Sequence, residues 1–169
     1  IEHVMRVIFN SDVLWEEGLH LGRLSPKWAG FFKKCAAQRA VIVIPETTLL
    51  EIRKVQQNYT AKERQRLQDA YGILRKHEIR FCQVEPSERI AEPDLIKTIQ
   101  DTGVQVEIAV PTLEDFADAH RRACLHERPL PDGTKDDEMR DLVIWATTIR
   151  LARQDGGAIL VSRDRVHTG

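Results

Sequence analysis

No uninterrupted apolar stretch in this 169-residue chain exceeds five residues, as in Ala40 to Ile44, against the roughly 20 that a membrane helix needs. The front of the chain carries no basic, apolar, small-residue signal pattern, so the sequence reads as a soluble protein with no membrane role. Cysteine is scarce: Cys35, Cys82 and Cys124 are odd in number and far apart. With no CxxC or Cys/His ligand spacing, nothing points to zinc, a redox pair or a disulfide framework, and a reducing cytoplasm is the natural compartment. Excess charge of one sign is also missing. The 25 Lys+Arg and 26 Asp+Glu leave a net −1, so any nucleic-acid site must be a local patch rather than a global field. The six histidines show no HExxH or other ligand spacing, and there is neither an internal repeat nor a low-complexity segment.

What is present is an ordinary folded composition, 42% hydrophobic and 30% charged, at a length that suits one domain. The chain opens at Ile1 rather than Met and stops at Gly169, so it reads as a processed product or a piece of something longer. Short, β-branched apolar runs at Val4 to Phe9, Val41 to Ile44, Ile79 to Val84, Val104 to Val110 and Ala158 to Val161 predict strands. Helical spacing predicts helices over Pro26 to Gln38, Thr47 to Gln57, Thr60 to Lys76, Ser87 to Gln100 (interrupted by Pro93), Thr112 to Glu127 and Met139 to Arg153. Ser25-Pro26 reads as a cap with proline in the first turn, and Thr112 with Asp115 resembles a capping box. Pro129 to Asp137 is the one clear loop. Strands alternating with helices predict an α/β fold, three-layer α/β/α around a central, mainly parallel sheet.

Ligands of such sheets collect at the carboxyl ends of the strands. There the sequence places Asn10, Ser11 and Asp12 after the first run, Glu46 and then its rival Glu51 after the second, and Ser162, Arg163 and Asp164 after the last, with Asp141 opening the final helix. Carboxylates gathered in one cleft repel each other unless a cation holds them, and an oxygen-only set selects Mg²⁺ or Mn²⁺. Such a site supports attack of water on a phosphodiester. The competing reading is that each carboxylate caps backbone N–H groups and complements a helix dipole.

The stretches VIFNSDVL, IPETTLLEIRK, MRDLVIWATTI and ILVSRDR, in that order over nearly the whole chain, resemble a PIN domain, the metal-dependent ribonuclease family found in many bacterial toxins and RNA-processing proteins. The run from Arg121 and Arg122 through the proline-containing loop and Lys135 to Trp145 resembles its larger bacterial branch with a helical insert. The resemblance implies a metal site of Asn10, Glu51, Asp141 and Asp164 with Asp12 as accessory ligand, Mg²⁺ or Mn²⁺ as cofactor, and RNA products ending in 3′-hydroxyl and 5′-phosphate. It also implies an antitoxin or a second copy as a possible partner. Asn10 departs from the family's Asp: an amide oxygen can ligate a metal but brings no charge, so metal affinity and water activation both fall. An inactivated toxic nuclease, a naturally degenerate site, or Asp12 taking over the metal would each explain it, and the rest of the acidic set favours the first.

From Arg53 to Arg80 eight basic residues face three acidic ones, a local +5, which predicts a phosphate-tracking insert that includes Lys54 and Arg64 or else a solvated face with ordinary ion pairs. Arg121, Arg122 and Lys135 are candidates to hold a scissile phosphate, and Ser11 and Ser162 to position water or phosphate. Tyr59 and Tyr71 are either stacking groups for bases or packing. Trp28 and Trp145 read as core. The expected function is therefore a metal-dependent endoribonuclease acting on single-stranded or loop RNA. Two alternatives stand beside it: a degenerate PIN-like module that binds RNA or protein without catalysis, and another phosphate-handling α/β domain that uses Asp12.

Overall fold

A computed structural model describes residues 4–125, 127 and 139–163, without the side chains of Glu16, Glu17 and Arg89. Four strands, β1 (Arg6–Phe9), β2 (Val41–Pro45), β3 (Gln105–Ala109) and β4 (Ala158–Val161), form one sheet in the order β3-β2-β1-β4. All three pairings are parallel. Helices α1 (Ser11–Leu14) and α2 (Pro26–Ala37) lie between β1 and β2 with the 3-10 helix Glu16–Leu21, and α3 (Glu46–Lys76), α4 (Pro86–Arg89) and α5 (Leu95–Gln100) lie between β2 and β3. Helices α6 (Leu113–Leu125) and α7 (Met139–Asp155) complete the crossover to β4.

The strand period of two splits the buried residues into two layers. Val7, Phe9, Ile42 and Ile44 point to one face, where Trp28, Phe32 and Cys35 of α2, Leu49 and Ile52 of α3, and Leu95 and Ile99 of α5 cover them. Ile8, Val41 and Val43 point to the other, against Leu151 of α7. Helix α6 packs outside α7 through Ala119, Leu142 and Val143. The fold is thus the expected three-layer α/β arrangement. On the first face Phe9 meets Trp28, Phe31 and Phe32 edge-on at 5.7 to 6.1 Å between centroids, a favoured aromatic geometry. No helix among the described residues is long and apolar enough to cross a membrane.

Local signals worked where a side chain could satisfy an orphan N–H. Ser25 Oγ accepts from the Trp28 N–H at 3.3 Å with Pro26 in the first turn. Thr112 and Asp115 form the reciprocal capping box, at 2.9 Å from the Thr112 N–H to Asp115 Oδ2 and 3.3 Å from the Asp115 N–H to Thr112 Oγ1. Asp115 also takes Arg150 at 2.9 Å and Thr147 at 3.3 Å, tying α6 to α7.

Two expectations are corrected. The two helices expected on either side of Asn58-Tyr59 are one 31-residue helix, α3. Ile79 to Val84 is not a strand: it returns along α3, with Phe81 stacked on Tyr71 at 5.1 Å and the Ile79 N–H bonded to the Leu74 carbonyl. The interruption expected at Pro93 is present: Ser87 to Gln100 is divided between two short helices, α4 and α5, because the missing N–H stops a helix. The loop Pro129 to Asp137, Lys135 within it, and Asp164 lie outside the described residues.

Candidate functional site

Strands β2 and β3 lie on one side of β1 and β4 on the other, so the chain reverses its direction of winding between β1 and β4. Crevices at such a switch point, at the carboxyl ends of the strands, are where open α/β sheets bind ligands. A cleft of about 420 Å³ opens there, lined by Asn10, Ser11, Asp12, Trp15, Glu51, Arg140, Asp141 and Arg163. Asn10 with Asp12, Glu51 and Asp141, from three distant parts of the sequence, are thereby brought to one place. Glu46, the rival to Glu51, is not among the lining residues.

Each arrives by a local rule. Asn10 ends β1 and caps α1; it is 4% exposed. Its Oδ1 accepts from the Ser11 N–H at 2.7 Å, and its Nδ2 lies 3.5 Å from Ser162 Oγ, at the outer limit of a hydrogen bond. Asp12 is spent on the backbone. Oδ1 accepts from the Val13 N–H at 2.7 Å, while Oδ2 accepts from the Ser162 hydroxyl at 3.1 Å and from the Arg163 N–H at 2.6 Å. It clips the end of β4 to the start of α1, and three accepted bonds leave about one acceptor position of the carboxylate, which suits an accessory ligand better than a nucleophile or principal metal ligand. The Ser162 hydroxyl is part of the same clip. Glu51, in the second turn of α3, accepts from Arg140 Nη1 at 2.9 Å. Asp141 sits in the first turn of α7, where a carboxylate complements the helix dipole.

The donor set fits a hard divalent ion by kind: its oxygens come from carboxylates and one amide, with no nitrogen or sulfur ligand. Among the described residues no three His, Cys, Asp or Glu are grouped so as to hold an ion by themselves. An ion between Glu51 and Asp141 would therefore complete its shell with water or substrate oxygens, as Mg²⁺ commonly does. The Arg140 guanidinium on Glu51 already supplies part of the positive charge that such an ion would bring.

Arg121 and Arg122 do not reach the cleft. Both hold Asp118 on the surface of α6, at 2.9 and 2.7 Å, and Arg121 also holds Glu127 at 2.6 Å. Burial alone would push the Asp118 carboxyl up, but the hydrogen bonds and charges of Arg122 and Arg121 outweigh it and hold the group below its ordinary range. Arg64 pins the segment returning along α3, its Nε donating to the Ile90 carbonyl at 3.1 Å. Lys54 is exposed on α3, outside the cleft lining. Tyr71 packs on Phe81 and Trp28 is core, as packing readings of them predict, whereas Trp145 is only half-buried.

Arg163, read at the end of the last strand, is among the lining residues. Two further lining residues, Trp15 and Arg140, carry only an indirect sequence signal. Arg140 adjoins Asp141 directly, and Trp15 stands one helical turn beyond Ser11. Trp15 is 42% exposed and meets the His20 ring at 6.3 Å between centroids. Burial, helped by Arg23 and opposed by a backbone bond at Leu14, holds the His20 imidazole below its ordinary range. Buried Gln56 of α3 donates to the His20 carbonyl and anchors this corner. No family model matches the chain, and neither a curated protein nor a solved structure matches it.

Proposed function

We propose that this chain is a PIN-like, Mg²⁺- or Mn²⁺-dependent endoribonuclease whose activity is weakened by Asn10. The observation that carries the reading is the meeting of Asn10, Glu51 and Asp141, from β1, α3 and α7, in one cleft at the switch point of a parallel sheet. When bound, a divalent ion there would polarise the phosphate and lower the pKa of an attacking water. Glu51 and Asp141 would hold it, and the Asn10 amide would contribute an uncharged oxygen. Arg140 brings its guanidinium to the cleft at Glu51, and Arg163 lines the same cleft; guanidinium groups suit phosphate oxygens. The proton released by the attacking water would pass to one of the two carboxylates.

The test is cleavage of labelled RNA and DNA panels in Mn²⁺ by the chain, by Asn10→Asp, and by Asn10→Asp combined with Asp141→Ala. Cutting by Asn10→Asp at least tenfold faster than by the parent, abolished in the double variant, is the expected outcome. Silence of all three on every substrate would remove the nuclease reading.

A second reading has its own support. The Glu51–Arg140 pair and the engagement of both Asp12 oxygens suit a PIN-like module that binds RNA or protein and holds the acidic cleft together without a metal. RNA binding that is unchanged by EDTA, with no cleavage by Asn10→Asp, would favour it.

A further inference from the structure

Hydrolysis of a phosphodiester needs carboxylates and cations, but it has no use for an exposed indole. Trp15 nonetheless lines the same cleft as Glu51, Asp141, Arg140 and Arg163 with 42% of its surface exposed. Its backbone joins the end of α1 to the start of the 3-10 helix. Asn10 caps the short helix α1 that leads to it, and the Trp15 N–H donates to the Ser11 carbonyl at 3.1 Å. Behind it stand His20 and buried Gln56, whose amide fixes the His20 carbonyl. A flat π surface that shares one cleft with two arginines matches the two halves of a nucleotide: the base on the ring, the phosphate on arginine.

The face of α3 that begins at Glu51 points the same way. At 100° per residue, Lys54, Asn58 and Lys62 fall within about 60° of the Glu51 direction, the last about 16 Å further along the axis. All three are exposed. Cations and an amide thus continue outward from the cleft, a track that complements a polyanion longer than one nucleotide.

We propose that Trp15 stacks an unpaired nucleobase of single-stranded RNA, and that the strand leaves the cleft over Lys54, Asn58 and Lys62. What happens to the strand rests on the nuclease reading; its capture does not. A duplex hides the faces of its bases in its own stack, so this cleft selects single strands.

The experiment is done in EDTA, so that no cleavage intervenes. The chain, Trp15→Phe and Trp15→Ala are titrated with a fluorescein-labelled 12-nucleotide RNA of mixed, unpaired sequence and with the same strand annealed to its complement. Anisotropy gives affinity, tryptophan emission of the unlabelled mixture gives contact, and circular dichroism and the melting temperature confirm folding. The expected result is quenching by the single strand that is lost in Trp15→Phe, with affinity kept within about threefold because phenylalanine still stacks. Trp15→Ala should lose about 5- to 100-fold in affinity, and the duplex should bind at least tenfold more weakly than the single strand. Quenching that persists in Trp15→Phe, equal binding by Trp15→Ala, equal binding of duplex, or no RNA binding by the chain would each overturn the proposal. Cleavage by Asn10→Asp without any dependence on Trp15 would sink this inference and leave the nuclease standing. Trp15-dependent binding without cleavage would do the reverse.

Discussion

Asn10 and Asp12 are separated by one residue and do different work. Asn10 faces the cleft with a capping oxygen, whereas Asp12 spends both carboxylate oxygens on Val13, Ser162 and Arg163. Charge-assisted hydrogen bonds to backbone N–H groups are among the stronger ones, and losing an acceptor leaves donors to be solvated or stranded. Asp12→Ala is therefore expected to lower stability by about 2–3 kcal/mol, and Asp12→Asn, which keeps one acceptor oxygen, by about half of that. Urea unfolding checks this: the midpoint should fall with the slope unchanged. A loss within 0.5 kcal/mol, the range typical of a surface substitution, would show that the clip does not hold β4. Asn10→Asp should act in the opposite sense once metal is present. It sets a second carboxylate beside Asp12, so its melting temperature should drop in EDTA and recover in Mn²⁺ by binding linkage. Failure to recover would separate the added charge from metal binding.

At the level of elements, α3 shows why a local break signal failed. Asn58 and Tyr59 each cost only about half a kcal/mol relative to alanine in a helix, far less than glycine or proline. Buried Gln56 and Thr60 on either side anchor that turn to the body, and packing overrides the weak propensity. The return segment from Ile79 likewise has strand composition but meets a helix instead of a strand edge, so Phe81 stacks on Tyr71 and no ladder forms. Helix α6 carries a pH-dependent contribution. The Asp118 carboxyl is held below its ordinary range, so the stability it provides is fully present above the unfolded-state value near 3.9 and is lost as pH falls through the folded one. Arg121→Gln with Arg122→Gln should thus melt earlier than the parent at pH 6, and the gap should close below pH 4. A gap independent of pH would mean that the arginines act by packing alone. Because these groups are largely at the surface, the effect should stay near or below about 1 kcal/mol.

Over the whole molecule the decisive feature is topological. The chain winds from β1 outward through β2 to β3, then crosses back to β4 on the far side of β1, and the cleft sits where the direction changes. Net charge is −1, so attraction to a polyanion has to come from the Lys54–Lys62 track rather than from the global field. Single-stranded RNA binding should weaken with salt along a log–log slope of about −2, as expected for roughly three phosphates neutralised, and Lys54→Glu with Lys62→Glu should flatten that slope and weaken binding at least tenfold. An unchanged slope would place the RNA elsewhere. The strands β1, β2, β3 and β4, the capping of α2 and α6, and the candidacy of Asn10, Glu51 and Asp141 were legible in sequence because each depends on neighbours within one or two turns: period-two apolar runs, side-chain oxygens three residues from their N–H, carboxylates following strand ends. The exclusion of Arg121 and Arg122, the conversion of Asp12 into a clip, the pairing of Arg140 with Glu51 and the arrival of Trp15 in the cleft were not legible. They depend on which helix lies over which strand, and contacts between residues up to 152 positions apart are set by packing of the two apolar layers, which no local pattern encodes.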